Sequence, residues 1–256
     1  MTKVHKAGFV NIVGNPNVGK STLMNQLVGE RISIATFKAQ TTRHRIMGIV
    51  NTDDMQIVFS DTPGVLKPNY KLQESMLAFS ESALHDADVL LYVTDVVENP
   101  EKNMGFLEKV QKMTIPVLLL INKIDELTSD ASTTSQTRLT GIVEKWHGLL
   151  PNAEILPISA KNKFGVDMLL KRIQELLPES PAYFDKDQLT DKPARFFVSE
   201  IIREKILLYY DKEIPYSVEV CVERFKETEK SIHINAIIYV ERDSQKVSSS
   251  VIRALP

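Results

Sequence analysis

The feature that most constrains this chain is an eight-residue stretch at positions 14–21, which reads Gly-Asn-Pro-Asn-Val-Gly-Lys-Ser. It directly follows the mostly apolar residues 9–13 and fits the phosphate-binding pattern G-x-x-x-x-G-K-[ST]. In this pattern the glycines let backbone N–H groups point at phosphates, and the following helix adds its positive N-terminal end. We predict that Lys20 neutralises the β- and γ-phosphates and that Ser21 binds Mg²⁺. A chance match at a strand-to-helix turn is the alternative, and the pattern alone does not distinguish ATP from GTP.

Up to residue 178, short apolar runs alternate with longer amphipathic stretches. Apolar strands separated by helices indicate an α/β fold, here a P-loop NTPase with a mixed, mostly parallel sheet and helices on both faces. We assign residues 1–178 to this nucleotide-binding domain. The predicted strands are residues 8–13, 45–50, 55–60, 89–94, 117–121 and 154–158, and the predicted helices are residues 21–28, 72–85, 101–112, 136–150 and 165–177.

The pattern changes near residue 178. Residues 177–193 contain three prolines and no apolar periodicity, so we predict a linker at 179–194. A predicted helix at 195–210 and two strands then indicate a second, α+β domain over residues 195–256. Apolar residues alternate along the second strand, and both strands would lack most of their covering helices and a third strand, which leaves an unpaired edge. The strands are residues 216–225 and 231–242, and the alternating apolar positions are Ile232, Ile234, Ala236 and Ile238.

A second motif, Asp61-Thr62-Pro63-Gly64, follows the strand at 55–60. A carboxylate at the end of an apolar strand can hold Mg²⁺ through water, and a glycine three residues later can offer its N–H to a γ-phosphate. Alone, such a motif is also a common surface turn. Its place at a neighbouring strand end, about 40 residues after the phosphate loop, favours the nucleotide-binding interpretation.

Guanine is indicated by Asn122-Lys123-Ile124-Asp125, which closes the strand at 117–121. A carboxylate at Asp125 can accept both the N1–H and the N2 amino group of guanine, whereas adenine offers neither donor and would leave a buried carboxylate unpaired. Ser159-Ala160-Lys161 follows the next strand and is expected to complete the base pocket through backbone contacts. These motifs lie at successive strand ends, where open α/β sheets bind ligands.

Composition excludes several other classes of protein. The net charge of −2 is not that of a strongly basic protein, and the longest apolar runs are far shorter than the ~20 residues of a membrane span. Cys221 is the single cysteine, which excludes an internal disulfide and suits a reducing compartment. With no signal-peptide core at the N-terminus, we expect a cytoplasmic protein.

With these motifs in this order, the chain resembles the translation-factor class of GTPases. The resemblance implies a switch threonine between the phosphate loop and Asp61, in the interval Ala39-Gln40-Thr41-Thr42-Arg43. Thr42 would bind Mg²⁺ in the GTP state, with Thr41 as the alternative and a solvated polar loop as the third interpretation.

In Ras-like switches the residue after D-x-x-G is a glutamine that orients water, but here it is Val65, which cannot. Several GTPases with a hydrophobic residue there resemble one another in carrying an asparagine where this chain has Asn17. In them it helps to hold a K⁺ ion, and the alternative is that Asn17 only shapes the loop through bonds to nearby backbone.

The predicted catalytic residues are Lys20, Thr42 and Asn17, and the predicted Mg²⁺ ligands are Ser21, Thr42 and Asp61. The predicted GTP- or GDP-binding residues are Gly14, Asn15, Pro16, Asn17, Val18, Gly19, Lys20, Ser21, Thr22, Asp61, Thr62, Pro63, Gly64, Val65, Asn122, Lys123, Ile124, Asp125, Ser159, Ala160 and Lys161.

Residues 38–49, 61–72 and 190–220 closely resemble the Era family of bacterial ribosome-assembly GTPases. The segment 190–220 is the most specific, because it lies outside the nucleotide-binding domain. The resemblance implies a slow GTPase followed by a type II KH RNA-binding domain. It also implies small-subunit ribosomal RNA and the small ribosomal subunit as partners, peripheral association with the inner membrane, and a monomer.

The chain departs from this family at its end. A KH domain binds RNA through a G-x-x-G loop, yet the last glycine is Gly165. From residue 180 onward there are 12 Lys+Arg and 13 Asp+Glu, so there is no basic excess for a phosphate backbone. We expect a truncated KH domain whose last ten residues follow a different reading, as a frameshift would give; a genuine shorter variant is the alternative. The chain would then bind and slowly hydrolyse GTP with little or no RNA binding.

Overall fold

The computed structural model describes residues 4–38, 40–65, 67–68, 71–127, 134–210 and 218–241, except the side chains of residues 101 and 102. The chain divides into two compact units, residues 1–191 and residues 192–256. The division falls within the segment 179–194, whose composition is that of a linker.

The first unit is built on a six-stranded sheet. Its strand order is β2-β3-β1-β4-β5-β6, and all neighbours are parallel except β2 and β3, which are antiparallel. Every residue of β3 and β4 is buried, so both faces of the sheet centre are covered. The predicted α/β fold with a mixed, mostly parallel sheet is confirmed. The strands are β1 (Lys6–Gly14), β2 (Ile46–Asn51), β3 (Met55–Asp61), β4 (Val89–Asp95), β5 (Val117–Asn122) and β6 (Glu154–Pro157).

Of the five α-helices that the structure describes in this unit, four connect the strands and the fifth, α5, follows β6. Helix α1 packs on β1, β2 and β3 and touches α5, whereas Phe106 of α3 and Trp146 of α4 belong to a core that includes Tyr92 of β4. The rings of Tyr92 and Trp146 lie 5.7 Å apart. Helix α3 is shorter than the predicted 101–112, because Pro100–Asn103 first form a 3₁₀ turn. The helices are α1 (Lys20–Val28), α2 (Lys71–Ser82), α3 (Met104–Gln111), α4 (Ser135–Leu149) and α5 (Val166–Leu176).

The segment after α5 runs along the outer strands of the first unit. Gln56 of β3 is fully buried, and its Oε1 accepts hydrogen bonds from the backbone N–H groups of Tyr183 (2.7 Å) and Phe184 (3.0 Å). Farther along, the N–H of Ile49 in β2 donates to the carbonyl of Leu189 at 2.8 Å. Residues 183–189, although linker-like in composition, are therefore fixed to the sheet by backbone hydrogen bonds.

The second unit contains helix α6 (Ala194–Tyr209) followed by the antiparallel strands β7 (Val218–Glu227) and β8 (Ile232–Val240). This agrees with the predicted partial α+β domain. Its small core joins Ile206 of α6 to Val218 and Val220 of β7. On α6, Arg203 is 2% exposed and its guanidinium donates to the Glu200 carboxylate at 2.7 and 2.6 Å.

The alternating apolar residues of β8 are exposed over the first half of the strand. Ile232 and Ile234 are 52% and 41% exposed, and Ala236 is also exposed. Only the second half of β8 packs on the small core, through Ile238 and Val240, because it pairs with the beginning of β7, where the buried Val218 and Val220 lie. Residues 216, 217 and 242–256 of the prediction lie outside the described residues. Among the helices that the structure describes, none has the length and apolar character needed to span a membrane.

Candidate functional site

The nucleotide-binding motifs meet at one edge of the sheet. Because β1, β3, β4 and β5 run parallel, their carboxyl ends lie together. The phosphate loop follows β1, Asp61 ends β3 and Asn122 ends β5. Residues separated by more than 100 positions in the sequence thus become neighbours.

The phosphate loop adopts a conformation that depends on glycine. Gly19 precedes α1 with a φ of 95°, and a side-chain carbon added there would lie 2.3 Å from Nδ2 of Asn122. Only glycine satisfies both the backbone conformation and this close approach. Lys20, Ser21 and Thr22 form the first turn of α1, while Gly14, Asn15, Pro16, Asn17 and Val18 form the loop before it.

Lys20 points back across this loop. Its side-chain ammonium donates to the carbonyls of Gly14 (3.0 Å) and Asn15 (2.8 Å), and the residue is 6% exposed. Burial lowers the pKa of Lys20 to about 8, and the nearby carboxylates of Asp61 and Glu98 oppose that shift. A buried cation held only by carbonyls is well suited to exchange them for phosphate oxygens.

The three predicted Mg²⁺ ligands lie together. Ser21 Oγ donates to Asp61 Oδ2 at 2.7 Å and lies 2.9 Å from Thr42 Oγ1, which is itself 3.4 Å from Asp61 Oδ2. Burial raises the pKa of Asp61, and Lys20 opposes the shift. Asp61 Oδ1 is buried and has no hydrogen-bond partner among the described residues. Two hydroxyls and a carboxylate form an oxygen-only donor set, which fits the preference of Mg²⁺.

The geometry distinguishes the two candidate switch threonines. Thr41 Oγ1 donates to the carbonyl of Lys38 at 2.6 Å and lies 2.7 Å from Thr36 Oγ1, within its own loop. Thr42 instead contacts Ser21 and Asp61. The structure therefore favours Thr42 over Thr41 as a metal ligand. Ala39, in the same interval, lies outside the described residues.

The segment after β3 is held by hydrogen bonds and lies close to the phosphate loop. Thr62 Oγ1 donates to the carbonyl of Ile12 at 2.7 Å, and the carbonyl of Pro63 accepts from Ser80 Oγ of α2 at 2.8 Å. A side-chain carbon added at Gly64 would lie 2.7 Å from Pro16 of the loop. The backbone of Gly64 therefore lies close enough to the loop to share a γ-phosphate with it.

Asn122 ties the base-binding segments to the phosphate loop. Its Nδ2 donates to the carbonyl of Val18 at 2.8 Å, and its Oδ1 accepts from the backbone N–H of Ala160 at 2.9 Å. The backbone contacts expected of Ser159, Ala160 and Lys161 to the base stay a prediction, and in this structure the N–H of Ala160 donates to Asn122. That N–H serves Asn122, whose side chain is 2% exposed and needs a donor for its oxygen.

The remaining base-pocket side chains also have fixed partners. Ser159 Oγ donates to Asp125 Oδ1 at 2.5 Å, and the Lys123 ammonium lies 2.7 Å from Asp95 Oδ2. Asp125 is exposed rather than buried as expected, because it lies in a short 3₁₀ turn at the surface together with Ile124. Discrimination by Asp125 therefore requires the base itself to cover the carboxylate. Lys161 is exposed beside this turn.

Asn17, the predicted K⁺ ligand, lies at the tip of the phosphate loop. It is exposed, has a φ of 65°, and its side chain makes no hydrogen bond among the described residues. The alternative role, in which the side chain shapes the loop by bonding to backbone, has no support in this geometry. The amide oxygen of Asn17 is accessible to a cation.

Sequence reasoning missed three polar residues at this edge, namely Asp95, Glu98 and Asn103. Asp95 ends β4 and pairs with Lys123, while Glu98 and Asn103 bond to Asn15 of the phosphate loop. No motif marks them. Their place at the end of β4 and after it could have indicated them. Because β4 neighbours β1, the residues at and after the end of β4 must approach the phosphate loop that follows β1.

Comparison with known proteins agrees with this geometry. A family model described as "50S ribosome-binding GTPase" matches residues 9–123. GTPase Era from two strains of Lactobacillus delbrueckii subsp. bulgaricus is 43% identical over 246 residues, which cover 96% of this chain and 79% of each relative. The chain belongs to the Era family of GTPases.

Solved Era structures share the fold. One is Era in complex with MgGDPNP and nucleotides 1506–1542 of 16S ribosomal RNA, with a TM-score of 0.86 and 35% identity. The other is an Aquifex aeolicus Era variant bound to GDP·AlF₄⁻, with a TM-score of 0.86 and 36% identity. Each alignment covers 94% of this chain and 81% of the Era chain.

Proposed function

We propose that this chain is a GTP-hydrolysing switch that binds small-subunit ribosomal RNA and the small ribosomal subunit and assists small-subunit assembly. One observation carries the nucleotide part. The phosphate loop, the three-oxygen cluster of Ser21, Thr42 and Asp61, and the Asn122–Asp125 segment converge at one sheet edge. The Era relative solved with MgGDPNP and 16S ribosomal RNA supports both parts.

In this proposal residues 1–178 hold the nucleotide. Lys20 exchanges its two carbonyl partners for the β- and γ-phosphates. Ser21, Asp61 and, in the GTP state, Thr42 hold Mg²⁺, which neutralises charge on the phosphates. Asp125, oriented by Ser159, accepts the hydrogen bonds of guanine.

Hydrolysis needs a group that replaces the missing glutamine. The side chain of Val65 is 2% exposed and has no polar atom, so it cannot orient the attacking water. We propose that Asn17 helps to hold K⁺ beside the phosphates, where the ion offsets charge that develops in the transition state. The accessible amide of Asn17 at the loop tip supports this role.

This role predicts that GTP turnover depends on the monovalent cation. Turnover should be at least about tenfold faster in K⁺ than in Na⁺, and Asn17→Ala should abolish the difference, because charge stabilisation by one group is worth this much or more. Phosphate release measured at equal ionic strength tests it, with Asn152→Ala, an exposed asparagine of the α4–β6 connection, as the matched control. Equal rates in the two salts, or K⁺ stimulation that survives Asn17→Ala, would refute the role.

For RNA, we propose that residues 195–256 form a KH-like unit joined to the first domain by residues 179–194. A second candidate is a GTPase that binds RNA only weakly. It is favoured by the balanced charge from residue 180 onward, where 12 Lys+Arg stand against 13 Asp+Glu. We also propose a cytoplasmic monomer with peripheral association with the inner membrane, as expected of the family.

The RNA proposals can be separated by measuring affinity. We expect this 256-residue chain to bind a single-stranded oligomer of the small-subunit 3′ region at least about tenfold more weakly than the Lactobacillus relative, since residues from 180 onward carry no basic excess for a phosphate backbone. Fluorescence anisotropy at fixed salt is the measurement, and a scrambled oligomer is the control. Equal affinity of the two proteins would reject the weak-binding candidate.

A further inference from the structure

Asn103 stands at the start of α3 but does not cap it. Asparagine is among the preferred helix N-caps, because its side-chain oxygen accepts from the first free N–H groups. Asn103 holds the N-cap position, yet its side chain makes no capping hydrogen bond. Its amide is directed instead at the phosphate loop and at the segment after β3.

The Asn103 amide joins these two segments. Its Nδ2 donates to the carbonyl of Val65 at 2.9 Å and also to Oδ1 of Asn15. Asn15 in turn donates through Nδ2 to Oε1 of Glu98, whose Oε2 accepts from Thr94 Oγ1 at 2.5 Å. We call the set Asn15, Glu98 and Asn103 the amide brace.

The amide brace fixes Val65 from one side while the phosphate loop fixes it from the other. The N–H of Val65 donates to the carbonyl of Gly14 at 3.0 Å, and its own carbonyl accepts from Asn103. Val65 is 2% and Asn15 6% exposed, so losing these bonds would leave buried polar groups unpaired. Gly64, whose N–H we assign to the γ-phosphate, is covalently attached to this fixed residue.

We propose that Asn103 is a positioning residue for GTP hydrolysis. Through Val65 it holds the Gly64 N–H at the distance from the phosphate loop that the transition state requires, and through Asn15 it holds the loop itself. Because the Asn103 amide is engaged by Val65 and Asn15, it acts through these residues, on turnover far more than on affinity. This inference rests on the proposed GTPase function.

Asn103→Ala should lower the single-turnover rate of GTP hydrolysis about tenfold, while the Kd for GDP changes less than about twofold, because misplacement of a reacting group costs rate more than binding. Asn103→Asp should be at least as impaired. Aspartate has nearly the same shape as asparagine, but its carboxylate cannot donate a hydrogen bond. In this variant the carboxylate would face the Val65 carbonyl and lie near Glu98, so it would repel both. In the assay, GTP is bound to the protein first and Mg²⁺ is then added to start the reaction. The measured rate therefore reports hydrolysis and not nucleotide exchange.

Gln111→Ala is the matched control. Gln111 lies at the other end of α3, and its amide also donates to a backbone carbonyl, that of Leu149 at 2.6 Å, so this variant should hydrolyse GTP like the wild type. The proposal is overturned if Asn103→Asp hydrolyses GTP at the wild-type rate, or if both Asn103 variants lose GDP affinity as much as rate. Wild-type turnover no faster than that of Lys20→Ala would instead reject the GTPase proposal, and this inference with it.

Discussion

Replacing Asp125 with asparagine is expected to change the preferred base from guanine to xanthine. The carboxylate of Asp125 can accept both the N1–H and the N2 amino group of guanine. The side-chain amide of Asp125→Asn places its NH₂ against the N2 amino group of guanine, so two donors face each other. Xanthine has a carbonyl at this position, which accepts from the amide. Because a mismatched polar pair inside a pocket costs a factor of roughly 10²–10⁴ in affinity, the affinity for GTP should fall by at least 10² and that for XTP should rise.

The surroundings of Asp125 make this substitution a selective one. Ser159 Oγ donates to Asp125 Oδ1 at 2.5 Å, and the amide oxygen of Asp125→Asn can still accept that bond. The change is therefore confined to the atom that faces the base. Competition of GTP, XTP and ATP against a fluorescent GDP analogue measures it. Glu126→Gln, an exposed carboxylate in the same turn, is the matched control. Unchanged guanine preference in Asp125→Asn would remove Asp125 from the base pocket.

Lys20→Ala should reduce GTP turnover by at least 10²–10³, since the lysine places a charge where the transferring phosphoryl group accumulates one. The same substitution should not destabilise the nucleotide-free protein. Burial lowers the pKa of Lys20 from 10.5 to about 8, which means that folding disfavours its charged form; this cost is fully present below pH 8 and declines as the pH rises toward 10.5. At pH 7 the melting temperature of the nucleotide-free variant should equal or exceed that of the wild type.

Lost turnover together with an unchanged or higher melting temperature would show that Lys20→Ala has a catalytic defect and not a folding defect. Phosphate release and thermal unfolding of the nucleotide-free protein, measured on the same preparation, are sufficient. Lys145→Ala on the exposed side of α4 is the control for loss of a positive charge. Turnover within twofold of the wild type would contradict the assigned role of Lys20, and a large fall in melting temperature would contradict the burial cost.

The sequence was enough to predict the sheet and the position of the motifs. Each motif follows an apolar strand, and parallel strands bring their carboxyl ends together, so the convergence of Lys20, Asp61 and Asn122 could be expected before any coordinates. The choice between Thr41 and Thr42 could not, because both are threonines in one loop. The two are distinguished by the contacts of Thr42 with Ser21 and Asp61, which Thr41 replaces by contacts within its own loop.

Other features depend on contacts that no local pattern encodes. Asn103 and Val65 are 38 positions apart and are joined only because the loops after β3 and β4 both approach the phosphate loop. The exposure of Asp125 follows from a short 3₁₀ turn. Ile232 is exposed because, among the described residues, only the second half of β8 packs on the small core, although its first half also pairs with β7. Alternation shows that a strand has an apolar face but not what covers it.

The hydrogen bonds between β2 and the segment 189–191 have a mechanical consequence. The Met47 carbonyl accepts from Thr190 Oγ1 at 2.7 Å, and the Met47 N–H donates to Asp191 Oδ1 at 2.9 Å. Met47 lies five positions after Thr42, on the strand that continues from the switch loop. The point where the chain leaves the first unit is thus hydrogen-bonded to β2, the strand that follows the predicted switch loop. Only residues 43–45 separate Thr42 from β2, so a displacement of Thr42 would reach the exit point through one short loop.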